Sequence, residues 1–531
     1  MSAATIPNAG RREWIGLGVL ALPCLLYAAD LTVLNLAVPA LSRALRPSSV
    51  QLLWIIDIYG FVVAGSLITM GTLGDRIGRR RLLLAGAGVF GVASVLAAYA
   101  SSPGMLIAAR ALLGVAGATI APSTLSLIRN MFPDPKQRTV AVGVWISSFS
   151  AGGAVGPLLG GVLLEWFWWG SVFLLAVPLM GLLLVLGPLL LPEYRDPRAG
   201  RLDPASAALS LAAVLAVVYG LKQLAQDGLG WAPALAILAS VALWVAFVRR
   251  QHALADPLLD LRLFRIPAFS AALTTNVVSF FVGFGTLLFV AQYLQLVLGL
   301  SPLSAGVWML PSSAGFILGS LLTPLLARWA RPAFVMASGL ALAAVGFGLL
   351  TQLGTGRAAG LALLVAGSVV FSLALAPVDT LATDLAVGAA PPERAGAASA
   401  IAETSAEVGG ALGIAILGVI GTAVYRAQVA DAVPAGVPPH VARAARDTLG
   451  GAVDAAGQLP GQLGDALLGA ARQAFTQGLH LAFAIGAAVA LGVAVLAAVL
   501  LRHLRPSSEP EPEPDSEPLL DPNRRTQRTE R

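Results

Sequence analysis

The sequence predicts an all-α polytopic membrane protein, and three observations carry that prediction. Of 531 residues, 57% are hydrophobic and only 12% are charged, about half the charge of a typical soluble chain. Apolar runs long enough to cross a bilayer as a helix, roughly 20 residues, recur fourteen times. The basic residues fall in the connections between these runs, and mostly in alternate ones, as the positive-inside rule requires.

Taken in order, the runs lie near 14–38, 51–71, 82–101, 104–127, 138–162, 168–191, 204–221, 231–248, 268–297, 304–326, 333–351, 361–384, 397–424 and 478–502. With the N-terminus inside, the cytoplasmic segments hold Arg11 and Arg12, then Arg76, Arg79, Arg80 and Arg81, then Arg129, Lys136 and Arg138, and so on to the arginines after residue 501. Dropping or adding one span scrambles this asymmetry, so both termini are expected in the cytoplasm and the protein in the plasma membrane. The net charge of +6 is therefore read as an orientation signal, and no nucleic-acid partner is expected. The first run is long enough to span and is read as a helix, not a cleaved signal. Cys24 is the one cysteine; it excludes an intrachain disulfide and suits a small buried apolar position.

Two segments fall outside the spans. Residues 425–477 form a long outer loop whose Ala/Leu faces alternate with Arg and Asp at helical spacing. The pattern predicts two short amphipathic helices broken at Pro460 and Gly461, against the alternative of a loosely ordered spacer. The tail, residues 504–531, is rich in proline and charge and is expected to be disordered.

Between the second and third spans stands "GTLGDRIGRRRLLLAG", with Gly71, Leu73, Gly74, Asp75, Arg76, Gly78, Arg79 and Arg80. Glycines permit a tight turn and close helix approach. Asp75, at a helix end, can meet a neighbouring helix N-terminus or a basic partner such as Arg138. A degenerate echo, "GSLLTPLLARWARPAF", keeps Arg328 and Arg331 but has Ala327 in the acid's place. The fifth span carries "GGAVGPLLGG", with Gly152, Gly156, Pro157, Gly160 and Gly161, small residues at a spacing that lets helices touch. The fourth carries "RALLGVAGA", with Arg110 and Gly114.

These motifs resemble the signature loop, the antiporter motif and the fourth-helix arginine motif of the major facilitator superfamily. With "DLTVLNLAVPAL" in the first span and "WIIDIYGFVVAG" in the second, the chain is similar to the 14-helix drug:proton antiporters, and among them to QacA/SmvA-type exporters. The resemblance implies two six-helix bundles with two additional central helices. The boundaries it suggests are 1–201, 202–250 and 251–503, the last containing the outer loop. It implies a role in proton transfer for Arg110, although Leu113 stands where the family usually places glutamine.

Charge at membrane depth then points to chemistry. Asp30, Asp57, Asp379, Glu403 and Glu407 lie within spans, and Arg110 is the one base there. Each buried charge costs ~2.5–3.5 kcal/mol or more on insertion scales and usually faces a cavity. A carboxyl lacking a countercharge in low dielectric favours its neutral form, so it can take up and release a proton. When ionised it attracts organic cations. Glu403 and Glu407, four apart, share a helix face. The sequence leaves open which acid does which. The resemblance points to Asp30, with Arg110, for proton coupling and to Glu407, with Glu403 one turn earlier, for cation binding; Asp57 is added as a coupling candidate or an interfacial cap, and Asp379 as a further cation-binding candidate. Phe281 and Tyr293 are packing residues by default and otherwise candidate aromatic lining. Asp384 is read as an end-of-helix charge, and Trp166, Trp168 and Trp169 as an interfacial belt.

The expected activity is thus proton-coupled export of lipophilic cations such as quaternary ammonium compounds, dyes and biguanides, by a monomer that alternates its access. Export of a neutral or zwitterionic antibiotic is the alternative on the same fold. An enzymatic reading has no parts: Walker sequences, metal-spaced histidines and a nucleophile elbow are absent from the sequence, so no metal or cofactor is expected.

Overall fold

The computed structural model describes residues 9–47, 49–195, 203–227, 230–254, 257, 259, 261–391, 394–434 and 436–500. The tail lies outside the described residues, and so does the expectation made for it. Fourteen helices among them are long and apolar enough to cross a membrane, matching the fourteen runs in the sequence; the protein is a multi-pass membrane protein.

The first half comprises α1 (Arg11–Leu45), α2 (Ser49–Ile77), α3 (Arg79–Ala98), a fourth span broken at residues 118–119 into α4 (Pro103–Gly117) and α5 (Ile120–Met131), α6 (Pro135–Trp166), and a sixth span of α7 (Ser171–Leu174) and α8 (Ala176–Leu190). A hairpin follows, α9 (Pro204–Asp227) and α10 (Trp231–Ala253). The second half comprises α11 (Pro267–Gln292), extended by one π-helical turn at Tyr293–Val297, then α12 (Pro302–Trp329), α13 (Pro332–Leu350), α14 (Arg357–Ala389) and α15 (Ala395–Ala432). Two short helices, α16 (Pro439–Asp447) and α17 (Leu449–Ala456), precede α18 (Gly461–Leu500). Each half has its own apolar core, one drawn from α1–α8 and one from α11–α18. The halves meet along α6 with α12 and along α2 with α15.

The α9–α10 hairpin lies against the second of these seams, with α9 touching both α2 and α15. Phe61 and Ala64 of α2 pack on Val214 and Val218 of α9. The outer helix, α10, leaves Leu235, Leu238 and Val241 more than half exposed, which in this setting is a lipid-facing surface. A hydrophilic clamp ties the base of the hairpin: Arg250 Nε donates to Asp203 Oδ2 at 2.6 Å and its Nη2 to Oδ1 at 2.9 Å, while Gln251 donates to Ser206. Arg250 holds the Asp203 carboxyl below the ordinary carboxylate range. A lowered folded-state value stabilises above the unfolded value, about 3.9, and the contribution is lost as pH falls through the folded one. The midpoint gap in thermal unfolding between the parent and Asp203→Ala should therefore be constant from pH 7 to about 5 and shrink below about pH 4. A gap independent of pH would remove this role from the ion pair.

The outer loop departs from its sequence reading. Helix α15 continues to Ala432 and α18 starts at Gly461, so residues 425–432 and 461–477 belong to long helices and the true connection is 433–460. Only the helices before Pro460 are short; the part after it merges with the last span. Nothing between Gly461 and residue 478 breaks the helix, and Arg472 fixes its outer turns by donating to the Leu296 carbonyl at 3.0 Å. The spacer alternative also fails, since Val441, Ala445, Leu449 and Ala452 are buried in the second core and Tyr425 donates to the Ala445 carbonyl at 2.6 Å.

Candidate transport site

Asp30, on α1, and Arg110, on α4, meet inside the first half. Arg110 Nη1 donates to Asp30 Oδ2 at 2.9 Å, and both side chains are at least nine-tenths buried. The guanidinium is held by three further groups, all from α2: the Ile55 carbonyl at 3.0 Å, the Ile56 carbonyl at 3.2 Å, and the Tyr59 ring, whose centroid is 4.9 Å away. The sign count in the sequence allows Arg110 one acid without saying which; the structure gives it Asp30. Asp57 occupies α2, and its side chain lies outside what is described.

From the other half, α15 brings Glu407 to α1. Tyr27 donates its hydroxyl to Glu407 Oε1 at 3.3 Å. Glu403 lies one turn earlier on the same face, and both glutamates are half-buried. Aromatic rings connect the two clusters. Tyr27 lies 6.0 Å from Tyr59 and 5.7 Å from Phe149, and Phe149 lies 4.8 Å from Trp145. A path of polar and aromatic groups therefore runs from Asp30 through Arg110, Tyr59 and Tyr27 to Glu407.

The sequence leaves Phe281 and Tyr293 of the ninth span as packing residues or as aromatic lining, and their surroundings favour packing. Tyr293 is fully buried and gives its hydroxyl to the Gly354 carbonyl, a packing contact at the end of the second half away from the signature loop. Phe281 packs against the core of that half. The rings beside the carboxylates come instead from α1, α2 and α6. One signal for them was present: Tyr27 stands three residues before Asp30 and so shares its helix face. Asp379 is buried in α14 with its Oδ1 making no hydrogen bond.

The signature loop sits at one end of the bundle and joins the halves. Asp75 accepts from the backbone N–H groups of Gly396 at 3.2 Å and Ala397 at 3.0 Å, the first turn of α15. Backbone N–H groups at a helix start have no partner within the helix and carry partial positive charge, so a carboxylate is favoured there. Asp75 also pairs with Arg79, four residues on, at 2.7 Å. The helix N-terminus is thus its cross-half partner, and Arg138 is not. Arg138 bonds Asp384 at 2.6 Å, and Thr139 donates to the same carboxylate at 2.9 Å. Asp384 is thereby corrected from an end-of-helix charge to a buried acid, 7% exposed, tying α14 to α6. Arg129 adds a third link, donating to the carbonyls of Val387 and Ala390.

Glycine matters at two places in this lock. A Cβ on Gly71 would stand 2.5 Å from Ala400 Cβ and 2.6 Å from the Gly396 carbonyl, so α2 and α15 cross here at backbone contact. Gly78 has φ of +112°, the region that favours glycine, and turns α2 into α3. Gly74 is buried beside Leu82, and Arg76 occupies the last turn of α2. Residues after α8 strap the loop from outside. Glu193 accepts from the Arg80 backbone N–H at 3.2 Å, and the Tyr194 ring lies 4.9 Å from the Arg79 guanidinium. Neither residue was singled out from the sequence, because no local pattern ties residue 193 to residue 78.

The span-five motif lies along α6. Gly152 touches α1 at the Leu25 carbonyl, while Gly161 meets nothing nearby. Gly156 and Gly160 are buried, and the Pro157 side chain lies outside what is described. Among the described residues no cluster of three or more His, Cys, Asp or Glu side chains is placed to hold a metal ion.

Comparison with known proteins gives this geometry a context. The family model described as Major Facilitator Superfamily matches residues 20–414. The chain is 45% identical to the multidrug efflux pump LfrA of Mycolicibacterium smegmatis, over 88% of this chain and 92% of that protein. It is 41% identical to the methyl viologen resistance protein SmvA of Salmonella typhimurium, over 87% and 93%. Among solved structures it is similar to the human organic anion transporter MFSD10, with a TM-score of 0.57 at 15% identity over 92% and 99% of the two chains. A bacterial homologue of the human lysosomal transporter Spinster gives a TM-score of 0.55 at 19% identity over 93% and 98%. At such identities the structures show the fold alone. The family model and the two relatives span most of the chain, motifs included: the chain belongs to the major facilitator superfamily and is a membrane transporter.

Proposed function

We propose that the protein is a proton-coupled multidrug efflux antiporter that exports lipophilic organic cations across the plasma membrane. The observation that carries this reading is the path from the Asp30–Arg110 pair through Tyr59 and Tyr27 to Glu407. In this reading the end bearing the signature loop is cytoplasmic, as are both termini, and the structure is the cytoplasm-closed state. While Asp30 is ionised it cancels the charge of Arg110, and a cation can rest against Glu407, Glu403 and the faces of the nearby rings. A proton arriving from outside neutralises Asp30. Arg110 keeps its carbonyl partners but loses its countercharge, so one positive charge now acts on the neighbouring cation site. The drug cation is expelled outward, and the halves rock about the centre to release the proton inside.

The activities named for the relatives support an exporter of drugs, and methyl viologen is an organic dication. A second reading, export of an uncharged antibiotic, draws on a 34% identical tetracenomycin C resistance and export protein of Streptomyces glaucescens. Proteoliposomes separate the two. In inside-out vesicles an acidic lumen, and so an outward proton gradient, should drive uptake of a dye cation, and an uncoupler should abolish it. Glu407→Gln should shift the ratio of divalent to monovalent cation transport by about tenfold, ~1.4 kcal/mol, while some cations are still carried. Transport of a neutral antibiotic with indifference to every cation tested would overturn the cation reading.

A further inference from the structure

A second group of buried oxygens lies inside the C-terminal half, apart from the path just described. Helices α11 and α14 pack antiparallel: Phe269 and Ala272 lie with Ala386 and Ala390 at the loop end, and further out Gly283 sits against Leu375. One turn from that contact toward the loop end, α11 presents Ser279 and α14 presents Asp379, four residues along each helix. Asn276 follows on the same face of α11 as Ser279. Asp379 is 5% exposed, Asn276 3% and Ser279 0%. Asp379 Oδ1 and Asn276 Oδ1 are without a hydrogen-bond partner among the described residues, and the Ser279 hydroxyl lies beside the Asp379 carboxyl.

Among the described residues no base pairs with this acid. Helices α11 and α13 carry no charged residue. On the others packed against α14, Arg138 of α6 is paired with Asp384. Arg129 of α5 is bonded to the carbonyls of Val387 and Ala390. Arg328 of α12 lies in that helix's last turn. Glu403 and Glu407 of α15 add negative charge, while Lys136 at the start of α6, Arg357 at the start of α14 and Arg426 near the end of α15 stand toward helix ends. An ionised Asp379 would therefore be a buried charge without a counterion, and the serine hydroxyl could serve only one of the remaining acceptors. Buried acceptors left without a donor are costly. A carboxyl O–H would supply the donor that the unpaired Asn276 Oδ1 lacks, while the Ser279 hydroxyl beside the carboxyl serves its other oxygen.

We propose that Asp379, Ser279 and Asn276 form a second proton-binding site, lodged in the C-terminal half and filled while the loop end is closed. Asp379 is then a proton carrier, where the sequence alone assigned it to the drug. The proton enters as a hydrogen ion from water, bonds to a carboxylate oxygen, and leaves the same way when the seam opens, so no other reactant is consumed.

The test has two parts, and the first does not depend on the antiporter reading. Infrared spectra of the purified full chain at neutral pH should contain a protonated-carboxyl C=O band that is missing from Asp379→Asn and displaced in frequency in Asn276→Ala, where its acceptor is gone. Asp379→Asn is isosteric and neutral, so it keeps the packing of the protonated form. The second part is the number of protons moved per dye cation in proteoliposomes, which should fall by one in Asp379→Asn while export continues. A spectrum unchanged by Asp379→Asn overturns the proposal, as does sodium binding by the parent that Asp379→Asn abolishes, since three oxygens could also hold an alkali ion. An unchanged proton count with the band lost leaves the antiporter reading intact and overturns the carrier role.

Discussion

Asp30→Asn should reduce proton-driven export of a monovalent dye cation by more than about tenfold at equal expression, equivalent to ~1.4 kcal/mol or more. Two effects act in the same direction. The amide cannot take a proton, so the gradient loses its entry point. Arg110, 1% exposed, also loses its only charged partner described, and its positive charge then stands permanently beside the cation site. Breaking a buried ion pair from one side costs about 3–5 kcal/mol, so the variant should also unfold at a lower temperature in detergent. Stability and coupling can be told apart by a second change. In Asp30→Asn with Arg110→Gln the buried charge is gone, and dye binding should return toward the parent value. Movement of dye should then follow its own gradient and ignore the proton gradient. Should Asp30→Asn concentrate dye as well as the parent under an imposed gradient, Asp30 has no part in coupling.

The double variant depends on a pairing that the sequence does not specify. The excess of acids over bases at membrane depth is a property of the sequence, and so is the shared face of Glu403 and Glu407. Partner choice is not. Arg110 lies 80 residues from Asp30 in the chain, and whether it reaches Asp30 or Asp57 depends on how α1, α2 and α4 are rotated about their axes. Hydropathy places a helix in the bilayer and says little about rotation. The same ignorance explains the aromatic assignments. Phe281 and Tyr293 stand in a ring-rich span, but the rings beside the carboxylates are Tyr27, Tyr59 and Phe149, spread over three other spans.

Helix ends show a related limit. Fourteen spans can be read from hydropathy because each must cover the hydrocarbon thickness. Where a helix continues past the membrane, water accepts its backbone and hydropathy falls silent. Residues 461–477 are polar enough to look like a separate loop helix, yet Arg472 and the buried face of α16 and α17 hold them in line with the last span. The signature loop is the opposite case. Its pattern marks the position of Asp75 and offers a helix N-terminus as partner; only the fold decides that the helix is α15, more than 300 residues away, and that Arg138 serves Asp384 instead.

Asp75→Asn should open the loop end of the molecule and, by trapping it there, slow export by about tenfold or more, ~1.4 kcal/mol. In the closed form Asp75 is 6% exposed and its carboxylate answers three donors at once: two backbone N–H groups at the start of α15 and the Arg79 guanidinium. The amide that replaces it brings two donors of its own and no charge. It leaves Arg79, 0% exposed, without the carboxylate, and it faces N–H groups with N–H. If the halves separate, water can solvate all of these groups, so the penalty of about 3–5 kcal/mol falls on the closed state alone. About half of the roughly 5.5 kcal/mol that inverts a 99:1 equilibrium brings it to parity, so the loss is large enough to change the resting conformation. Spin labels at exposed Lys136 of α6 and Trp329 of α12, on opposite halves at this end, should report a longer distance in the variant than in the parent. Gly71→Val should lengthen it too without altering any charge, because its side chain would meet Ala400 and the Gly396 carbonyl. If the distance lengthens in Gly71→Val but not in Asp75→Asn, steric contact governs closure and the carboxylate does not. If it lengthens in neither, the seam between α2 and α15 is not where the transporter opens.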